Sequence, residues 1–277
     1  MNEILSLENT TVVVTGSTGF IGSHLIDYLV GHGCTIHALI RETSDQRWLN
    51  NSDQVKVHVV DLAQSSSISC LEKADYLFHC AGLTKAKTRD DYFCGNVYSC
   101  EVLYERCVAI GSNLKAIVHL SSLAAAGPSV QGEAVQERDP CNPVTYYGES
   151  KLAGERIALK YSSLLPIVII RPPVVYGPRE ENFFIYLKTL SQGWNIKIGT
   201  TRRELSLIYV ADIVRAMVRA AVCYPKNEKI YYVTDGERHI WNDISDSAMK
   251  ILNVRAKALF IPKVLLTFLS SISEVLA

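Results

Sequence analysis

The sequence carries no net charge: Lys+Arg 28 balance Asp+Glu 28 over 277 residues. It also lacks any long run of like charges. Nucleic acids and anionic membranes are held through a basic excess, so neither is expected as a partner. Metal-type cysteine spacing is missing too. The eight cysteines, at positions 34, 70, 80, 94, 100, 107, 141 and 223, form no Cys-x-x-Cys pair. Neither a disulfide framework nor a zinc ligand set is therefore expected. Thiols in settings such as Leu77-Phe78-His79-Cys80-Ala81 read as small hydrophobes, mostly reduced core cysteines of a cytosolic protein. No apolar run reaches membrane length. Met1 to Asn9 holds two acids and no apolar segment, so no signal peptide is expected. Val264 to Ser273 is uncharged but only about half of the ~20 residues a span needs, and reads as a helix covering a core.

What is present is an ordinary globular composition, 48% hydrophobic and 20% charged, which excludes disorder across the chain. Short β-branched runs occur at 11–15, 35–40, 55–60, 76–80, 116–121 and 167–170. Helix-like stretches lie between most of them, at 19–32, 91–110 and 147–162. Gly31 and Gly33 are expected to end the first helix. Nearly continuous apolar strands suit burial on both faces, and strands alternating with helices imply βαβ units. The expected fold is α/β: a doubly wound parallel sheet of the Rossmann type with a smaller C-terminal lobe. Residues 1–171 form the expected dinucleotide-binding domain, with 205–235 partly returning to it. Pro172-Pro173 and Gly177-Pro178 open a second lobe over 172–277, expected to bind substrate. That lobe mixes helices near 183–191, 210–223 and 241–252 with extended pieces at 194–198 and 229–233.

The first strand runs into Thr15-Gly16-Ser17-Thr18-Gly19-Phe20-Ile21-Gly22 and then a helix. Three glycines there permit a tight turn, close approach to a pyrophosphate and close helix–strand packing. The pyrophosphate would rest on free amides at the positive helix end. Downstream, Tyr147 and Lys151 stand at i and i+4, one turn apart on one helix face. An ammonium beside a phenol lowers its pKa from about 10 and makes it a usable acid or base. Chance alone supplies about one such pair in a chain of this composition, so its context decides. That context is the strand end Val118-His119-Leu120-Ser121-Ser122, where a hydroxyl can meet a substrate oxygen. Ser121 reads as a strand terminus.

These motifs, with His79-Cys80-Ala81-Gly82 and Arg171-Pro-Pro-x-Val-Tyr-Gly-Pro178, resemble the extended short-chain dehydrogenase/reductase family, the NAD(P)-dependent epimerase/dehydratase family. They follow the family's order across nearly the whole chain. The resemblance implies Tyr147 as catalytic acid/base, Lys151 as its tuning partner on the nicotinamide ribose, and Ser122 orienting the reacting oxygen. It implies cofactor contacts at Gly16, Thr18, Gly19, Phe20, Ile21, Gly22, Arg41, Asp61, Leu62, Ala81, Gly82, Tyr147, Lys151 and Pro173. Asn96 resembles the family's helix asparagine, against the alternative of a solvent-facing side chain. The chain stops some tens of residues before family members usually do, so it is expected to be truncated or unusual.

The activity implied is an NAD(P)-dependent oxidoreductase at a carbonyl or secondary alcohol. Alternatives are a nucleotide-sugar epimerase or dehydratase that retains its cofactor, a 3β-hydroxysteroid dehydrogenase-like enzyme, and a non-catalytic nucleotide-sensing scaffold. The Val-Tyr-Gly that follows the serine in sugar-nucleotide epimerases is absent after Ser122. NADP is expected over NAD, because the second strand ends on Ile40, where NAD-preferring relatives carry an acid, and Arg41 follows at once, although Glu42 is adjacent. A phosphate could be bound by Arg179, Asn182, Arg202 and Arg203, or these are solvated loop residues. A homodimer through helices 91–110 and 147–162 is implied by the resemblance, with Val97, Val102, Leu103 and Val108 as apolar positions.

Overall fold

A computed structural model describes residues 7–63, 68–129, 132–198, 204–224 and 229–261. Residues 1–6, Arg202, Arg203 and the apolar stretch at 264–273 lie outside the described residues. Two compact units are present. One runs up to Val175 and includes Ile208–Thr234; the other holds Tyr176–Leu207 and continues from Asp235.

The larger unit begins with β1 (Thr11–Thr15), α1 (Phe20–Val30), β2 (Thr35–Ile40), β3 (Val55–Val59) and β4 (Tyr76–His79). Next come α2 (Arg89–Phe93), α3 (Ser99–Ala109), β5 (Ala116–Leu120), α4 (Tyr146–Tyr161), β6 (Ile167–Arg171) and β7 (Val174–Tyr176). The smaller unit then takes α5 (Glu181–Ser191), β8 (Trp194–Ile198) and β9 (Glu204–Leu205). The chain continues through β10 (Leu207–Tyr209), α6 (Val210–Val222) and β11 (Ile230–Tyr232), and the described residues close with β12 (His239–Ile240), α7 (Trp241–Leu252) and β13 (Lys257–Ile261). Within the smaller unit β8 pairs in parallel with β13, and Tyr186 on α5 meets Ser245 on α7 at 2.5 Å.

Seven parallel strands form the main sheet in the order β11-β6-β5-β4-β1-β2-β3. Its two faces follow from strand alternation. Val12 and Val14 face α1 and α6 with Leu25, Ile26, Ile213 and Met217; Val13 faces α3 and α4 with Leu103, Cys107 and Ala158. Strands β4, β5 and β6 are buried along their length, as continuous apolar runs predict. Strand β3 departs from that: it is the edge, and Val57 and Val59 are 45% and 65% exposed.

The 91–110 helix is also not continuous. A π turn at Cys94–Tyr98 separates α2 from α3 and shifts the inward face by a residue. Of the apolar positions expected at a dimer surface, Val97 and Leu103 belong to the chain's own core and Val108 is exposed. All eight cysteines are free, but just three (Cys34, Cys100 and Cys107) are fully buried, fewer than the sequence implied. Burial raises the Cys107 thiol to about 12 and the Cys100 thiol to about 11, keeping both protonated.

Candidate active site

Strand order reverses between β1 and β4, which carry the chain away in opposite directions. Ligands bind at the carboxyl ends of strands at such a switch point. A cavity of about 450 Å³ opens there. It is lined by Gly16, Thr18 and Gly19 after β1, Arg41 and Ser44 after β2, Asp61 and Leu62 after β3, and Ala81 and Gly82 after β4.

The glycine loop is sterically obligatory. Gly16 has φ +65°, and a Cβ there would stand 2.6 Å from Ala81 N. A Cβ on Gly22 would stand 2.2 Å from Gly16 O, so α1 starts against the turn itself. Gly19 is the N-cap of α1, and no side chain caps that end or adds an acid to its first turn. The first amides of α1 therefore remain available to an anion, which fits a dinucleotide pyrophosphate. Thr15 ties the loop to β4: its Oγ1 accepts from Ala81 N at 3.1 Å and lies 2.8 Å from His79 Nδ1.

Other expected contacts are placed differently. The side chains of Phe20 and Ile21 pack into the core, Gly22 is buried beneath Gly16, and Pro173 is half-buried after Pro172; none of the four lines the cavity. Arg41 and Asp61 do line it and are exposed. Arg41 has no ion-pair partner among the described residues, while Asp61 Oδ1 accepts from Ala63 N at 3.0 Å.

Tyr147 sits half-buried in the first turn of α4, which Thr145 caps by accepting from Gly148 N at 3.0 Å. Its ring centroid lies 6.2 Å from that of Tyr92, and its hydroxyl has no hydrogen-bond partner among the described residues. One turn on, Lys151 is 6% exposed and its Nζ donates to Leu120 O at 2.7 Å, at the end of β5. A Cβ on Gly82 would fall 3.6 Å from that Nζ, so the ammonium adjoins the cavity wall. Ser122 caps a 3₁₀ turn at Leu123–Ala125 and accepts from Ala124 N at 3.1 Å, leaving its O–H to donate. A Cβ on Gly148 would meet Ala124 O at 2.4 Å. That glycine lets the Tyr147 end of α4 approach the Ser122 turn.

Asn96 is 2% exposed rather than solvent-facing. The π turn directs it inward, where Oδ1 accepts from Leu83 N at 2.7 Å and Nδ2 donates to Leu83 O and Ser150 Oγ at 3.0 and 2.8 Å. It thus holds the Gly82–Leu83 segment to α4. Ser150 and Gly154 were missed in the sequence. Gly154, whose Cβ would meet Asn96 O at 2.5 Å, carried a usable signal as a glycine within a helix. Also missed was the buried pair Arg171–Glu155, with Nε–Oε1 2.8 Å, joined by Ser121, Tyr232 and Cys141. These partners hold the guanidinium charged, its pKa raised despite burial. In the smaller unit, Asn182 donates to Glu180, whose carboxylate accepts from the first amides of α5. That carboxylate occupies the helix end a phosphate would need.

The profile of the NAD dependent epimerase/dehydratase family matches residues 12–233. A UDP-glucose 4-epimerase of Vibrio cholerae is 27% identical over 253 residues, 86% of this chain and 73% of that protein. The decarboxylating sterol-4-alpha-carboxylate 3-dehydrogenase of Dictyostelium discoideum is 24% identical over 238 residues, 82% of this chain and 71% of that one. Among solved structures, MoeE5 in complex with UDP-glucose and NAD superposes with TM-score 0.80 at 26% identity, covering 91% of this chain and 85% of its own. No described helix is long and apolar enough to cross a membrane. With the glycine loop at the switch point and a matched span that includes both β1 and β11, the chain belongs to the NAD dependent epimerase/dehydratase family and is an NAD-dependent enzyme of that group.

Proposed function

We propose that the protein is an oxidoreductase acting on a carbonyl or secondary alcohol, with Tyr147, Lys151 and Ser122 as its catalytic residues. The carrying observation is the junction of α4 with the cavity wall, where Lys151 Nζ is fixed on Leu120 O beside Gly82 one turn from Tyr147. Nicotinamide dinucleotide, when bound, supplies the hydride donor or acceptor. The loop of Gly16, Thr18, Gly19, Phe20, Ile21 and Gly22 would hold its phosphates, the last three through backbone alone, and Asp61, Leu62, Ala81 and Gly82 would border the remainder. Lys151 would donate to the ribose and place positive charge by the phenol. Tyr147 Oη passes its proton to the substrate oxygen, or takes it in the reverse direction, while the Ser122 O–H orients that oxygen. Oxidation of reduced cofactor against a panel of ketones and nucleotide sugars tests this reading; a panel with no turnover contradicts it.

NADP is the preferred cofactor in this reading, because Arg41 lines the cavity after β2 with no acid at Ile40. A charged hydrogen bond contributes ~1.5–3 kcal/mol, equivalent to about ten- to a hundredfold in affinity. In fluorescence titrations NADPH binds tighter than NADH, and Arg41→Ala removes the difference; an unchanged NADPH affinity contradicts the assignment. The second reading is a nucleotide-sugar epimerase or dehydratase with retained cofactor, favoured by the likeness to MoeE5. A steroid-dehydrogenase-like substrate draws on a different feature: the smaller unit contains a mainly apolar cavity of about 560 Å³ between α5 and α7, with Phe183, Leu187, Ile244 and Ile251 in its wall. A scaffold role has no use for Ser122, Tyr147 and Lys151 together. Free thiols throughout fit a cytoplasmic setting.

A further inference from the structure

His37 in β2 and His58 in β3 meet at the edge of the sheet, where β3 has β2 on one side and no strand on the other among the described residues. His37 Nδ1 lies 2.8 Å from His58 Nε2, with ring centroids 5.0 Å apart. Cys70, on the 3₁₀ turn Ser69–Lys73, brings its thiol to the same place: one donor atom from each residue lies within 4.8 Å of the other two. All three side chains are half-buried, so a small ion reaches them from solvent. The two imidazoles share one N–H···N bond, and neither ring makes a second hydrogen bond among the described residues.

Two imidazoles and a thiolate are a borderline-soft donor set suited to Zn²⁺, which takes four ligands tetrahedrally and often keeps one position for water. Nitrogens about 2.0–2.1 Å from a tetrahedral ion stand about 3.3 Å apart. The rings need to part by about half an ångström, a side-chain rotation. A second cluster, His79, Cys100 and His119, also brings its donor atoms within 4.8 Å of one another, in a different setting. It is fully buried, and the Lys151 ammonium nearby opposes a further cation.

We propose that His37, His58 and Cys70 form a zinc site of three protein ligands and one water, tying β2, β3 and the 69–73 turn together. On loading, the Cys70 thiol releases its proton to solvent and both rings present neutral lone pairs, so no redox partner is involved. Val60, Asp61 and Leu62, directly after β3, line the cofactor cavity, so the ion fixes one wall of it. The ligands come from three separate elements, which is why cysteine spacing gives no sign of them.

The test uses tag-free, chelator-treated full-length protein. Zn²⁺ titrated by calorimetry, and Co²⁺ followed by absorbance, are expected to saturate at one equivalent with a thiolate-to-cobalt charge-transfer band. Cys70→Ser removes that band, His58→Gln weakens binding at least tenfold, and Cys100→Ser leaves both unchanged. Zinc raises the thermal midpoint of the wild type and not of Cys70→Ser. Circular dichroism establishes that each variant is folded. Absence of a saturable equivalent in the wild type, or a thiolate band that survives in folded Cys70→Ser, overturns the proposal.

Discussion

His79 and His119 are register partners on β4 and β5, both fully buried, with ring centroids 5.4 Å apart. Burial and the Lys151 charge hold His79 at about 3, from 6.5, and drive His119 well below that ordinary value. An unfolded chain therefore binds more protons than the folded one between the two values, and stability rises with pH there. The contribution is complete above about 6.5 and is lost as pH falls toward 3. Urea midpoints are expected to drop from pH 7.5 to pH 5, and to drop less in His119→Asn; equal slopes in the two proteins contradict the assignment. Much of the site at this scale was legible. Tyr147 and Lys151 stand out through the Ser122 strand end and the family motifs around them rather than through spacing alone, and Gly16 and Gly22 by following a strand. Asn96 was ambiguous because its inward direction depends on a π turn that breaks the 3.6-residue period. Glu155 and Arg171 were unreadable as a pair because their contact joins α4 to β6.

Among elements, the end of α1 shows how one glycine pair divides its work. Gly31 has helical φ −62°, while Gly33 has φ +73° and turns the chain toward β2. A Cβ on Gly31 meets nothing nearer than 3.5 Å. Gly31→Ala is thus expected to stabilise by about 0.4–1 kcal/mol by restricting the unfolded chain. Gly33→Ala, forced into the left-handed region, is expected to cost about 1–2 kcal/mol. Chemical denaturation of both variants checks the pair, and equal effects contradict it. The sequence had these glycines as equivalent, since conformation at each depends on the bonds from Gly33 N to Val30 O and from Cys34 N to Leu29 O. The long buried strands and α7 were legible from apolar runs and amphipathic spacing. Strands as short as β9 and β12, two residues each, carry no periodicity to read. Edge status of β3 was hidden for a related reason: Val55-Lys56-Val57-His58-Val59 is rich in valine, whichever face is covered.

For the whole molecule, the parallel sheet and its switch point explain why the cavity gathers residues from four strand ends. A homodimer through the 91–110 and 147–162 helices, which the family resemblance implies, would cover Val108 and Leu159, 37% and 40% exposed in the single chain. Light scattering at micromolar concentration is expected to give twice the 30.8 kDa chain mass; the monomer mass contradicts it.

Hydride exchange with an external substrate, with Tyr147 moving the proton, separates the proposed oxidoreductase from an epimerase that retains its cofactor. Its most direct test is deuteride transfer from NADPH labelled at the nicotinamide C4, with whichever ketone of the panel is turned over. Deuterium is expected on the carbinol carbon of the product. Turnover is expected to be lost in Tyr147→Phe with NADPH affinity retained, since the substitution removes the ionisable oxygen and keeps the ring. An unlabelled, isomerised product with the cofactor unconsumed, or near-wild-type kcat in Tyr147→Phe, would contradict it.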